Sequence, residues 1–138
     1  MSSTRRNFWR AVWIVAAIYW VTLFILTHLP PDKIPKTNVS DKTEHLVSYG
    51  LLAAALHLSC WPKRWSILKT ALLILATCML YGAFDEITQP YFGRTRDIVD
   101  WLADSSGASI SILLMSLAIR IARPPAAPKN LIPVEGGK

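Results

Sequence analysis

Residues 8–29 have the sequence FWRAVWIVAAIYWVTLFILTHL, in which the single Lys, Arg, Asp or Glu residue is Arg10, near the beginning. A helix needs about 20 apolar residues to cross the hydrocarbon core of a bilayer, and this stretch is long enough. Basic residues precede it, as in a secretory signal peptide, but the apolar run is too long for a signal core and no small-x-small cleavage site follows. The stretch is therefore predicted to be a retained membrane-spanning helix that ends at Pro30.

Three more apolar segments follow along the chain. They cover residues 43–61, 66–89 and 97–121. Asp41 and Glu44 have the spacing of a capping box, which predicts that a helix begins there. The fold class is therefore predicted to be all-α, an integral membrane bundle of four transmembrane helices in one domain of residues 1–122. Residues 123–138 are rich in proline and glycine and are predicted to be a disordered cytoplasmic tail.

The composition excludes some classes of function. A net charge of +6 is common in nucleic-acid-binding proteins, but here the Lys and Arg residues flank apolar blocks, as topology signals do. No nucleic-acid partner is predicted. Cys60 and Cys78 each lie inside an apolar block, without a C-x-x-C motif or a Cys/His ligand spacing. Both are predicted to be buried as small apolar residues, and the sequence predicts no cofactor and no metal.

The distribution of basic residues predicts the orientation. The larger share of the 15 Lys and Arg residues falls on one side, which holds Arg5, Arg6, Arg10, Lys63, Arg64, Lys69, Arg120, Arg123, Lys129 and Lys138. The other side holds Lys33, Lys36, Lys42, Arg94 and Arg96. Because basic residues are concentrated on the cytoplasmic side of membrane proteins, both termini are predicted to be cytoplasmic.

Most of the nine carboxylates fall at the opposite, outward ends of the predicted helices. They are Asp41, Glu44, Asp85, Glu86, Asp97, Asp100 and Asp104. Asp41 and His45 are four residues apart and share one helix face, as do Asp85 and Gln89. Charged side chains are costly in contact with lipid, so these faces are predicted to turn inward together and form a polar site.

Several short motifs occur in a fixed order along the chain. They are Asp41-Lys42-x-x-His45, Asp85-Glu86-x-x-Gln89, Gly93-Arg94, Asp97/Asp100-Trp101 and Asp104-x-x-Gly107. Over about residues 30–115 this set resembles the VanZ-like membrane protein family, which is associated with lowered susceptibility to teicoplanin. The resemblance implies a role in the cell envelope and implies no particular reaction. The chain departs from the family pattern at Pro90, displaced from its usual place before Gly93, at Asp104 and at Ser111.

The carboxylates allow two interpretations. The candidate catalytic residues are Asp85, Glu86, Asp100 and His45, as a paired-carboxylate acid/base site. Alternatively, the acids form a buried ion-pair network with Arg94 and Lys42 that holds the helices together. The sequence offers no evident nucleophile for an enzyme, which favours the second interpretation.

Two further hypotheses concern ligands. His45 with Asp41 and Glu86 has the residue types to ligate a divalent cation, but a histidine hydrogen-bonded to a carboxylate is the alternative that the sequence favours. Arg94 and Arg96 have the planar donors that bind an anionic headgroup or a pyrophosphate. The alternative is that these two arginines balance the charge of nearby acids.

The expected function is that of a multi-pass protein of the bacterial cytoplasmic membrane, with a polar site at the extracytoplasmic face. The predicted binding residues are Asp41, Lys42, His45, Asp85, Glu86, Gln89, Arg94, Asp97, Asp100 and Asp104. The expected partners are membrane lipid and a lipid-linked or peptidoglycan-related intermediate, and an effect on glycopeptide susceptibility is implied. The second hypothesis is a membrane enzyme that uses the carboxylates for acid/base chemistry on an envelope lipid. The pattern leaves the oligomeric state open.

Overall fold

The computed structural model describes residues 2–33, 38–63 and 65–122. Within them the chain forms four α-helices: α1 (Ser3–Thr27), α2 (Asp41–Cys60), α3 (Ile67–Thr88) and α4 (Ile98–Ala122). Short 3-10 turns cover Pro31–Lys33, Trp61–Lys63 and Gln89–Phe92. The all-α prediction is confirmed, and each helix overlaps its predicted segment. The predicted disordered tail, residues 123–138, lies outside the described residues.

The beginning of α2 is where the sequence predicts it, but the cap residue is different. Ser40, not Asp41, has the extended conformation of an N-cap, and its Oγ accepts from the Thr43 N–H at 3.2 Å. Asp41 and Glu44 instead lie in the first turn, where their carboxylates interact favourably with the helix dipole. The physical reason is that Ser40, one residue before Asp41, already accepts a hydrogen bond from the free backbone N–H of Thr43.

Among the described residues, three helical segments are long and apolar enough to cross a membrane: Ser3–Thr27, Ile67–Phe92 and Ile98–Ala122. These segments indicate a multi-pass membrane protein. The first half of α2 is more polar, because Asp41, Lys42, Glu44 and His45 follow one another closely. This helix contacts all three of the others and packs most extensively against α4, so the most polar helix is also the most central one.

The outward surfaces of the bundle are apolar. Large aliphatic side chains on α1, α3 and α4 are among the most exposed, including Val15 at 64%, Leu80 at 71% and Leu113 at 69%. An extended apolar exterior around buried carboxylates is the reverse of a water-soluble domain. This distribution is the one expected where hydrocarbon surrounds the helices.

The closest helix contact is between α2 and α4. A Cβ atom added to Gly107 of α4 would overlap the backbone carbonyl group of Leu46 in α2. On the opposite side of the contact, a Cβ added to Gly50 would lie 3.3 Å from the carbonyl oxygen of Gly107. Small residues allow helix backbones to approach closely in membranes, and two glycines serve that purpose here.

The two ends of the bundle differ in character. At one end, Lys63 in the turn after α2 lies 5.1 Å from the ring centroid of Trp13 and 4.5 Å from that of Trp65. Aromatic and basic residues together are typical of a membrane interface. The other end, here called the polar end, is formed by the last turns of α1 and α3 and the first turns of α2 and α4. Nearly all of the carboxylates of the described residues lie there.

Candidate functional site at the polar end

The outermost layer of the polar end is an ion-pair network centred on Lys42. Its Nζ donates to the carboxylates of Asp97 and Asp100. The same nitrogen lies 3.9 Å from Oδ2 of Asp41, the preceding residue in α2. Lys42 therefore ties the beginning of α2 to the beginning of α4 and offsets part of the negative charge of these acids.

Asp97 precedes α4 and organises its first turn. Its Oδ1 accepts from the Val99 N–H at 2.9 Å, and its own backbone N–H donates to Oε2 of Glu86 at 2.7 Å. The Lys42 ammonium, with a smaller contribution from the Val99 N–H, holds the pKa of the Asp97 carboxyl below its ordinary value. Asp97 is therefore an anion at neutral pH and joins α2, α3 and α4.

Asp85 is fully buried and faces α1. Thr27 donates to its Oδ1 at 2.9 Å, and the Tyr49 hydroxyl donates to its Oδ2 at 3.3 Å. His28 Nδ1 lies 3.5 Å from the same Oδ1, and its Nε2 lies 2.8 Å from the hydroxyl of Thr88. The carboxylate of Asp85 therefore links α1, α2 and α3 through hydroxyl groups, as a structural centre does.

Glu86 follows Asp85 in sequence but faces α4, because consecutive residues of a helix point about 100° apart. Its Oε1 is buried without a hydrogen-bond partner among the described residues. Close to it, His45 Nδ1 and Asp104 Oδ1 are 2.9 Å apart, and Oδ2 of Asp104 is also buried without a partner in the described ranges. Asp85 therefore contacts the hydroxyl groups of Thr27 and Tyr49, whereas Glu86 lies beside His45 and Asp104.

Two groups of side chains at the polar end have the spacing of metal ligands. His45, Glu86 and Asp104 each place one nitrogen or oxygen atom within 4.8 Å of the others, and all three residues are buried. The second group is Asp41, His45 and Asp100, of which Asp41 is exposed. The sequence hypothesis combined His45 with Asp41 and Glu86. The structure instead places these two acids in separate groups that share the histidine.

A cavity of about 190 Å³ opens beside this cluster, between α1 and α2. Its lining combines apolar and polar side chains, including Leu23, Leu26, Thr27, His45, Tyr49 and Arg94. Nη2 of Arg94 lies 3.7 Å from Oδ1 of Asp41, which is longer than a hydrogen bond. The arginine is therefore at the rim of the cavity and is only loosely paired.

The structure brings the predicted binding residues to the polar end. They are Asp41, Lys42, His45, Asp85, Glu86, Gln89, Arg94, Asp97, Asp100 and Asp104. Arg96, the second arginine of the predicted anion-binding pair, is exposed and does not line the cavity. Which of these residues bind a ligand stays a prediction.

Three residues of the site were not predicted from the sequence: Thr27, His28 and Tyr49. Thr27 and His28 are two consecutive polar residues at the end of an apolar span, a pattern that could have predicted their place in the polar site. Tyr49 follows His45 by four residues and therefore lies on the same face of α2. Its aromatic ring gave no sign of this role, because a buried tyrosine in a helix is equally typical of packing.

The residues of the polar end lie within a stretch of the chain that matches a known protein family. A family model described as VanZ/LLP1 matches residues 2–119. The chain belongs to the VanZ/LLP1 family. No curated protein and no solved structure matches it. The family match includes all of α1, beyond the residues 30–115 that carry the sequence resemblance, so Thr27 and His28 are part of the VanZ/LLP1 domain.

The loop before α4 contains Pro90, one of the positions at which the sequence resemblance indicates a departure from the VanZ-like pattern. Pro90 lies in the first turn of the 3-10 segment Gln89–Phe92, and Gly93 ends that segment with φ 78°. Glycine adopts this left-handed conformation without a steric penalty. The Arg94 N–H donates to the carbonyl oxygen of Gln89 at 3.3 Å. The displaced proline is therefore accommodated in a defined turn that leaves Arg94 at the cavity.

Proposed function

We propose that the polar end lies at the extracytoplasmic face of the bacterial cytoplasmic membrane and binds the anionic headgroup of a lipid-linked ligand. In this arrangement α2 is the fourth membrane-spanning helix, and both termini are cytoplasmic. The proposal is supported by the basic residues at the opposite end and by the burial of the polar residues of α2 among the other helices.

The observation that carries the proposal is the amphipathic cavity between α1 and α2. Leu23 and Leu26 form an apolar wall on the helix whose outer face is exposed to hydrocarbon, while His45 and Tyr49 form a polar side. A lipid-linked ligand likewise has an apolar part, its hydrocarbon chain, and a polar part, its headgroup. The cavity volume of about 190 Å³ suits a headgroup and the first part of a chain.

Arg94 is the side chain best placed to select the headgroup. Its guanidinium offers two parallel donors, which match a phosphate or a carboxylate, and its 3.7 Å separation from Asp41 leaves these donors available. A pyrophosphate-bearing cell-wall intermediate has this chemistry. Sequestering such an intermediate would also alter glycopeptide susceptibility, including susceptibility to teicoplanin.

A binding experiment tests the proposal. The full chain in lipid nanodiscs is expected to bind farnesyl pyrophosphate saturably, and Leu26→Trp is expected to weaken binding at least about tenfold, or 1.4 kcal/mol, by filling the cavity. Leu114→Trp is the matched control, because Leu114 is an exposed aliphatic residue of α4 far along the chain from the cavity lining. Equal affinity for all three proteins, or no binding by the wild type, would contradict the proposal.

The proposed orientation has its own test. In a Cys60→Ser, Cys78→Ala background, a cysteine at Asp32 is expected to react with a membrane-impermeant maleimide in intact cells. A cysteine at Asn7, on the opposite side, is expected to react only after the membrane is opened. Both positions are exposed in the structure. The reverse labelling pattern would place the polar end in the cytoplasm.

The second candidate function is a membrane enzyme that acts on the same ligand by acid/base chemistry. It is favoured by the 2.9 Å contact between His45 Nδ1 and Asp104 Oδ1, in which a carboxylate orients an imidazole. Release of phosphate from bound farnesyl pyrophosphate, lost in His45→Gln, would identify an enzyme. Binding without turnover would identify an accessory binding protein.

A further inference from the structure

We infer that His45, Glu86 and Asp104 form a binding site for a divalent transition-metal ion. The three residues come from α2, α3 and α4, so the ion would join three helices at one point. This inference goes beyond the proposed lipid binding and does not rest on it, because it depends on the buried carboxylates of Glu86 and Asp104, which do not line the cavity.

The arrangement of the carboxylate oxygens carries the inference. In both acids one oxygen is held by a hydrogen-bonding partner: the Asp97 N–H for Glu86, and His45 for Asp104. The second oxygen of each is buried without a partner among the described residues, in side chains of residues only 4% and 0% exposed. Buried acceptors without partners are costly, and a bound cation would satisfy both oxygens at once.

The charges of His45, Glu86 and Asp104 also favour the binding of a cation. Among the described residues, the one basic side chain within 4 Å of the Asp104 carboxylate is His45. Glu86 takes part in none of the ion pairs among these residues. Lys42, the nearest ammonium group in α2, is occupied by Asp97 and Asp100 in the outer layer. In their ionised forms, two acids beside one imidazole carry an excess of negative charge that a divalent ion would offset.

The group of His45, Glu86 and Asp104, here called the inner group, is a better metal site than the outer group of Asp41, His45 and Asp100. In the outer group the carboxylate of Asp100 already accepts from Lys42, and Asp41 is exposed to solvent. One imidazole nitrogen with two carboxylate oxygens is a donor set suited to Zn²⁺ or Mn²⁺. The ligand atoms, within 4.8 Å of one another, need only small side-chain movements to reach ligand distances of about 2.0–2.2 Å.

The test uses the full chain in detergent, stripped of metal with a chelator and titrated with ZnCl₂ or MnCl₂. The wild type is expected to bind one ion and to show a higher melting temperature in its presence. Glu86→Gln and Asp104→Asn are expected to weaken binding at least a hundredfold. Asp41→Asn, which alters the outer group alone, is the matched control and is expected to bind like the wild type.

A spectroscopic measurement on the wild type avoids reliance on variants that fold poorly. Electron spin echo spectra of the Mn²⁺-loaded protein are expected to contain a ¹⁴N coupling typical of a directly bound imidazole. Absence of saturable binding, absence of the nitrogen coupling, or binding that is lost in Asp41→Asn and kept in Glu86→Gln would each overturn the assignment.

Discussion

The substitution Gly107→Ala is expected to lower the free energy of unfolding by about 3 kcal/mol, the upper end of the range for overpacking. The added methyl group would overlap the backbone carbonyl of Leu46, and a backbone cannot move aside as a flexible side chain does. The contact lies at the most extensive helix interface, so α2 and α4 must separate to accommodate it. The higher helix propensity of alanine, about 1 kcal/mol, is too small to compensate.

Thermal and chemical unfolding in detergent measure this effect, and two variants calibrate it. Gly50→Ala is expected to cost less, because its new Cβ would meet the Gly107 oxygen at 3.3 Å, a tight contact without overlap. Ser106→Ala, at the exposed neighbouring position, is expected to change stability by less than about 0.5 kcal/mol. If Gly107→Ala were as stable as Ser106→Ala, the close approach of α2 and α4 would be wrong.

The second large effect is expected at the buried contact between His45 and Asp104. In the presence of a chelator, His45→Leu should destabilise the protein by roughly 3–5 kcal/mol, because it leaves Asp104 buried without its partner. The double variant His45→Leu/Asp104→Asn should be more stable than His45→Leu alone, since it removes the charge that has lost its partner.

A double-mutant cycle measures this coupling between the two side chains. Asp32→Asn is the control, because Asp32 is an exposed carboxylate in the 3-10 turn after α1, and it should leave stability nearly unchanged. Strict additivity of the two single substitutions would mean that the histidine and the carboxylate do not interact in the folded protein.

The sequence was sufficient to predict the four helices and which of their ends lie together. Residues 8–29 predicted α1 because an apolar run of this length has few alternatives to a membrane span. The spacing of Asp41 and His45 correctly placed them on one face, because helix geometry fixes that relation without tertiary information. The convergence of the acids at one end followed from the alternating direction of the four helices.

Details that depend on contact between helices were not predictable in the same way. The close contact of Gly50 in α2 is with Gly107 in α4. That pairing depends on the rotation of α4 about its own axis, which no local pattern specifies. For the same reason, the sequence grouped Asp41 with Glu86 around His45, whereas the structure separates them.

Recognition of an anionic headgroup by Arg94 at the polar end can be tested by the affinity of Arg94→Lys for farnesyl pyrophosphate. Lysine keeps the charge but lacks the planar pair of donors, so a role in charge balance alone would tolerate the change. Arg96→Lys is the matched control, since Arg96 is exposed two residues further along the same loop.

We expect Arg94→Lys to bind farnesyl pyrophosphate at least about tenfold more weakly than the wild type, a difference of 1.4 kcal/mol, with unchanged thermal stability. Arg96→Lys should bind as the wild type does. Wild-type affinity in Arg94→Lys would mean that Arg94 is only a counter-ion of Asp41 and that the cavity has no selective group for an anionic ligand.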